Sequence, residues 1–203
     1  MKYVLTNYNN TPDWIHEYTD DYLIYDRSDS KEYLKDFDQS KIIYVENVGD
    51  ADYDRLGYIV DNYFDLPEVF LLSKSNLFKF ISKEEFDKVK DNTTFTPLLT
   101  QNHKVYEPVC RYQDGMYMEI NNSWYMLGLD WHYFQNYTEF AKAFNLPNPD
   151  YLTFAPGGNY ILTRENVYKY GLAFYEGLRS ILPYCQRPGE AHCIERSLYT
   201  IWS

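Results

Sequence analysis

Four apolar residues in a row, Val69, Phe70, Leu71 and Leu72, run straight into Ser73, Lys74, Ser75 and Asn76. A continuous apolar run suits a central strand covered on both faces, which demands helices above and below it and so an α/β architecture. In open α/β sheets the carboxyl ends of the strands are where ligands bind. A lysine and three small polar groups at that edge therefore bear on function as well as on fold.

The segments before this strand repeat its logic. KYVLTNY (2–8) reads as a first strand carrying Thr6, Asn7 and Tyr8 at its end, and TPDWIHEY opens a helix with Thr11 as N-cap and Pro12 at its first position. Tyr22 to Tyr25 form a second strand followed by Asp26 and Arg27. KIIYVENVG supplies a third, ending in Asn47 and Gly49. From Asp52 a helix carries Leu56, Ile59, Val60 and Tyr63 on one stripe, with Pro67 as its stop. SKEEFDKVK starts a further helix with Ser82 and Glu85 as a capping box.

The second half differs. VCRYQDGMYMEINNSWYML reads as two strands joined through Gln113, Asp114 and Gly115, and NYTEFAKAFNLP as a short helix stopped by Pro147. YLTFAPGGNYIL is a strand broken at Pro156, Gly157 and Gly158, followed by one long helix from Thr163 to about Leu182 and a last helix at EAHCIERSLYTIW. Strands alternating with helices imply parallel pairing, and the hairpin adds antiparallel strands. The expectation is one domain over residues 1–203, with a mixed, mostly parallel sheet flanked by helices and a small antiparallel hairpin region.

Nineteen basic residues against thirty acidic ones give a net charge of −11, which disfavours broad contact with nucleic-acid phosphate or an anionic membrane. A local basic pocket for one small anion is compatible with it. Cys110, Cys185 and Cys193 are odd in number and lack metal-type spacing, so the chain reads as a reduced cytoplasmic protein. The first ten residues are too weakly apolar for a signal peptide, and no stretch approaches a membrane span. The 23 tyrosines and 12 phenylalanines suit a broad sheet with wet clefts, because tyrosine adds apolar area and keeps a polar tip.

The string ENVGDADYDRLGYIVDNYFDLPEVFLLSKSN resembles a family of short glycosyltransferase-like proteins. Asn47, Gly49, Leu56, Tyr58, Ile59, Asn62, Tyr63, Leu66 and Pro67 fit its motif, as do Val69, Phe70 and Leu71. GGNYILTRENVYKYGLAFYEGL is similar to that family's second block, with Phe174 and Tyr175 as its aromatic pair, and Glu195, Arg196, Ile201 and Trp202 match its terminal helix. The resemblance implies a Rossmann-like fold of the GT-A class, a nucleotide-sugar donor, and an acceptor hydroxyl on a glycan or similar molecule. It also implies that SKSN stands where that class carries an Asp-x-Asp pair for Mn²⁺ or Mg²⁺. SKSN has no carboxylate, so metal-dependent and metal-independent action are both open, as is a non-catalytic binding protein that keeps the fold.

Such chemistry must neutralise a departing diphosphate, either by a metal on carboxylates or by Lys, Arg and backbone N–H groups. The candidate donor site comprises Thr6, Asn7, Tyr8, Asp26, Arg27, Asn47, Gly49 and Arg55 with Ser73, Lys74, Ser75 and Asn76. His192 joins it as a late histidine able to touch the diphosphate, and it is the one candidate metal ligand. Asp130 and His132 among aromatics, and the close-approach segment Gly157, Gly158 and Asn159, are the candidate acceptor site. A catalytic base, if the reaction inverts, would be Glu190 at a helix start or Asp150 in a proline-flanked turn.

Overall fold

A computed structural model describes residues 1–203 apart from 102, 104, 106 and 107. The central sheet contains β1 (Lys2–Asn7), β2 (Tyr22–Asp26), β3 (Ile42–Tyr44), β4 (Val69–Lys74), β5 (Thr96–Pro97) and β9 (Tyr160–Thr163). Its strand order is β3-β2-β1-β4-β9-β5. The first four strands are parallel, whereas β9 runs antiparallel to both β4 and β5. A separate antiparallel sheet joins β6 (Cys110–Gln113), β7 (Met116–Ile120) and β8 (Tyr151–Phe154) in that order. The protein is thus an α/β protein with a mostly parallel mixed sheet and a small antiparallel one.

The apolar run behaves as its composition requires. Phe70 and Leu72 enter a core shared with α1 (Asp50–Asp61) and α7 (Gly189–Trp202), while Leu71 enters the opposite core with Ile15 and Phe86, the latter on α2 (Lys83–Val89). All three are fully buried, each burial worth about 1.5–3 kcal/mol. Two of the buried tyrosines place their hydroxyls on backbone groups: Tyr175 donates to the Val167 carbonyl at 2.8 Å, and Tyr160 accepts from the Ala155 N–H at 3.0 Å. No helix among the described residues is long and apolar enough to cross a membrane.

Several local expectations change. Asp13–Glu17 is a 3₁₀ turn and not an α-helix; Thr11 donates to the Tyr33 carbonyl at 3.1 Å instead of capping it. Ser82 does cap α2, accepting from the Glu85 N–H at 3.1 Å. The long helix expected from Thr163 is two pieces, α5 (Arg164–Tyr168) and α6 (Leu172–Ser180). The break falls at Gly171, whose extended backbone (ψ 162°) interrupts the helix, and Tyr170 stacks on Phe174 across it with ring centroids 4.1 Å apart. Two short helices, α3 (Trp124–Leu127) and α4 (Tyr137–Ala143), complete the layer beside the small sheet.

The Pro156–Gly158 turn carries the chain from the small sheet into the large one, and both glycines have positive φ, +78° and +64°. A Cβ on Gly158 would stand 2.6 Å from the Arg55 guanidinium, which is itself pinned in the interior. Gly158→Ala should therefore lower unfolding free energy in urea titrations by about 1–3 kcal/mol, from left-handed strain and displacement of that guanidinium.

Candidate functional site

The carboxyl ends of β1, β2 and β4 and the start of α1 enclose a cleft of about 420 Å³. Register explains the grouping: Thr6 lies abreast of Lys74, and Asn7 abreast of Asp26. Thr6, Asn7, Tyr8 and Arg27 line it on one side, Lys74, Ser75 and Asn76 on the other, and Asn47 at the helix entrance. Much of the donor set read from the sequence is thereby brought together. Asp50, Gln186 and Arg187 complete the lining without having been anticipated. The Gly49 and Asp50 N–H groups donate to the carbonyls of Cys185 and Gln186 at 2.8 and 3.1 Å, a long-range pairing that short motifs cannot reveal.

The remaining donor candidates stand behind the cleft. Arg27 reaches its wall, but its guanidinium is bound to Asp54, with Nε at 2.9 Å, and to the Val48 carbonyl at 3.0 Å. Arg55 is fully buried, bound to Asp52 Oδ1 at 2.6 Å and to the Gly157 carbonyl. Gly49 serves packing: it starts α1 at φ +70°, and a Cβ there would sit 2.6 Å from that of Tyr53. Ser73 is buried beneath the strand end. There Asn159 Oδ1 accepts from the Ser73 hydroxyl at 3.1 Å and the Lys74 N–H at 2.8 Å, fixing where Lys74 leaves the sheet.

The cleft floor is polar and incompletely satisfied. Thr6 Oγ1, Asn7 Oδ1 and Asn76 Oδ1 are buried without a partner among the described residues, as is Asp26 Oδ2 just behind them. The other Asp26 oxygen accepts from Asn7 Nδ2 at 2.9 Å and Ser28 Oγ at 2.6 Å. Orphaned buried acceptors are uncommon and concentrate where something else supplies the donors. Asp50 also holds a positive φ of 53°, a strained backbone of the sort that accompanies binding sites.

A second cavity of about 250 Å³ lies between the end of β4, the Pro156–Gly158 turn, the small sheet and α7, and Lys74 lines both. Its wall is a chain of charges. Lys74 Nζ is 3.9 Å from Glu195 Oε2, Arg196 bonds Glu195 Oε1 at 2.5 Å and Glu119 Oε2 at 2.6 Å, and His192 Nε2 lies 3.1 Å from Glu119. Burial raises the Glu119 carboxyl, yet the hydrogen bond from His192 and the Arg196 charge overcome it and hold it at about 2. Burial and then Arg196 keep His192 below its usual value, so the imidazole is neutral and donates through Nε2. His192 is thus bound to Glu119 and is not part of the first cleft.

Among the other candidates, Gly157 lines the second cavity while Gly158 and Asn159 lie buried beneath it. Asp130, His132 and Glu190 form a separate cluster. Glu190 is fully buried, accepts from the His132 and Tyr133 N–H groups at 3.0 and 2.7 Å, and is bonded by Tyr184; it organises a loop and faces neither cavity. Asp150 is exposed at the entrance to β8, also outside both. Glu195, matched only as a motif residue, is the acidic group that meets a cavity beside Lys74.

Among the described residues no group of three or more His, Cys, Asp or Glu is arranged to hold a metal ion. The end of β4 does not fit Mg²⁺ or Mn²⁺ on an acidic pair, since Lys74 sets an ammonium there. No protein-family model, curated protein or solved structure matches the chain. What the fold and the two cavities define is an α/β protein with a cationic, acceptor-lined cleft at the carboxyl edge of its sheet.

The charge chain carries a pH signature. Glu119 titrates near 2 in the fold against 4.5 ordinarily, so its contribution is complete above pH 4.5 and is lost as pH falls toward 2, by about 3 kcal/mol. His192, with its pKa lowered from 6.5, loses stability in the same direction as pH falls through 6.5. Urea unfolding measured from pH 7 to 2.5 should show this acid limb, and Glu119→Gln should flatten the part below pH 4.5.

Proposed function

We propose that the protein is a GT-A-like glycosyltransferase that holds the diphosphate of a nucleotide sugar in the first cleft and passes the sugar to a hydroxyl of a glycan or similar acceptor. The carrying observation is the contrast between the chain and the cleft. In a protein of net charge −11, the cleft presents Lys74 and Arg187, against the one carboxylate of Asp50 among its described lining residues, beside a floor of unpaired acceptors. Arg187 is exposed and makes no hydrogen bond or ion pair among the described residues, and the Lys74 ammonium has a 3.9 Å contact with Glu195 and lies 6.0 Å from the Phe80 ring centroid.

The division of labour follows from the chemistry. In the transfer, the donor's C1–O bond breaks with its electron pair leaving on the diphosphate, the acceptor oxygen bonds to C1, and the acceptor proton is released. Lys74 and Arg187 take up the charge on the departing diphosphate; the first N–H groups of α1 are already bonded, that of Asp50 to the Gln186 carbonyl and that of Ala51 to the Asp50 carboxylate. The unpaired oxygens of Thr6, Asn7 and Asn76 accept from the N–H and O–H groups of a base and ribose, and the half-open Tyr8 ring, tethered through its hydroxyl to Asp29 at 3.1 Å, offers the base a face. The missing acidic pair favours a second reading, a binding protein that keeps the nucleotide site without turnover.

Thermal shift against nucleoside diphosphates and nucleotide sugars, with and without Mn²⁺, tests both. A ligand at 100 times its dissociation constant should stabilise the protein by about 2.7 kcal/mol. Lys74→Ala should weaken binding roughly 10- to 100-fold, the value of one charge-assisted hydrogen bond. Silence from every nucleotide sinks both readings, and binding without sugar transfer or donor hydrolysis selects the second.

A further inference from the structure

We propose that the second cavity receives the sugar of the donor and that it selects a neutral hexose or pentose over an acidic sugar. This rests on the transferase reading and adds to it the class of sugar. Continuity comes first: Lys74 lines both cavities, so a diphosphate bound to it from the first cleft directs its sugar toward the second. At about 250 Å³ the second cavity is below the roughly 300–1,000 Å³ of drug-sized sites, a size for one sugar ring and not for a nucleotide.

Charge then decides which ring. Lys74, Arg196, Glu119 and Glu195 line one wall of the cavity, two cations beside two carboxylates, and Arg196 is already bonded to both acids. Glu119 is committed on both oxygens, to His192, Ser123 and Arg196. Glu195 Oε1 is bonded to Arg196, whereas Oε2 has only the ammonium at 3.9 Å, beyond hydrogen-bond distance. Oε2 is therefore the oxygen open to a sugar hydroxyl. Once a diphosphate engages Lys74, a carboxylate on the sugar would meet Glu195 with no unpaired lysine or arginine among the described lining residues to offset it. The apolar edge of the cavity includes Phe80, a ring against which the C–H face of a neutral sugar packs, whereas the Phe154 ring is covered by the Arg196 guanidinium at 3.7 Å.

The charges of Arg196, Lys74 and Arg55 act on Glu195, with Asp52 and Tyr160 also in its field. Burial alone raises the Glu195 carboxyl, and the positive groups outweigh it and keep it ionised. Its role at neutral pH is that of a fixed acceptor.

Isothermal titration of UDP and GDP, their glucose and mannose conjugates, and the matching glucuronic and mannuronic acid conjugates is the test. In the wild type the neutral conjugate should bind about 10-fold or more tighter than its uronic counterpart, the scale of one hydrogen bond to a charged group. Glu195→Gln should weaken the neutral conjugate about 10-fold while leaving the bare diphosphate within about 2-fold, and should narrow the neutral-to-uronic gap. A diphosphate that binds while the uronic conjugate equals or exceeds the neutral one overturns the inference and leaves the transferase reading standing. So does a Glu195→Gln protein that loses both ligands equally or neither. The wild-type comparison needs no variant, so it decides the matter should Glu195→Gln fail to fold. If no diphosphate binds, both fall together.

Discussion

Arg55 is the residue on which the arrangement of the two cavities turns. Its guanidinium is 1% exposed, bonded within α1 to Asp52 and across the core to the carbonyl of Gly157. An isolated charge in that position would cost several kcal/mol, so the fold is held to the one geometry that supplies both partners. That geometry fixes the Pro156–Gly158 turn against α1 and so fixes the small sheet against the large one. Gly158 is obligatory at the contact because any side chain would occupy the place of the guanidinium. Asn159, next in the chain, ties the end of β4 to the same turn. Lys74 therefore leaves the sheet at a point determined by Arg55, two residues removed in contact.

Charge is sorted around that frame. Arg27 and Arg55 are consumed by Asp54 and Asp52, and Arg196 by Glu119 and Glu195. These pairs satisfy structure and leave the cavities with few mobile charges: Lys74 between them and Arg187 at the rim of the first. A surface at −11 repels anions broadly, so an anion's binding energy must come from the immediate lining of the cleft. Because Lys74 is shared, occupation of one cavity changes the field in the other. In the proposed reading that coupling links the leaving group to the sugar.

The parallel half of the fold was legible because its signals are local. The apolar run at 69–72 demanded cover on both faces, and each preceding strand ended in the polar residues that register then aligned. The Pro156–Gly158 break was legible for the same reason. The split at Gly171 was not, because the pattern either side is equally helical and a single extended glycine makes the break. At the site, strand-end residues such as Thr6, Asn7 and Lys74 were found from edge position alone. Arg187 was missed because the Cys185–Gln186 segment reaches the cleft by backbone pairing with Gly49 and Asp50. Glu190 was misplaced because a helix-start carboxylate looks the same in sequence whether it faces a cleft or caps a loop, as it does here for His132 and Tyr133.

The lysine at the end of β4 changes what a site at this edge can do. A divalent cation brings two charges and leaves with its ligands, whereas an ammonium brings one and is permanently present. A single positive charge leaves much of a diphosphate uncompensated, so a lysine-based site needs contributions from elsewhere in the lining. Arg187 stands where such a contribution would come from, and it does not belong to the strand that carries Lys74. In the proposed reading the positive charge for a diphosphate comes from two separate elements, the end of β4 and the 185–187 segment. Their alignment depends on the buried pairs that hold α1, the 185–187 segment and β4 together.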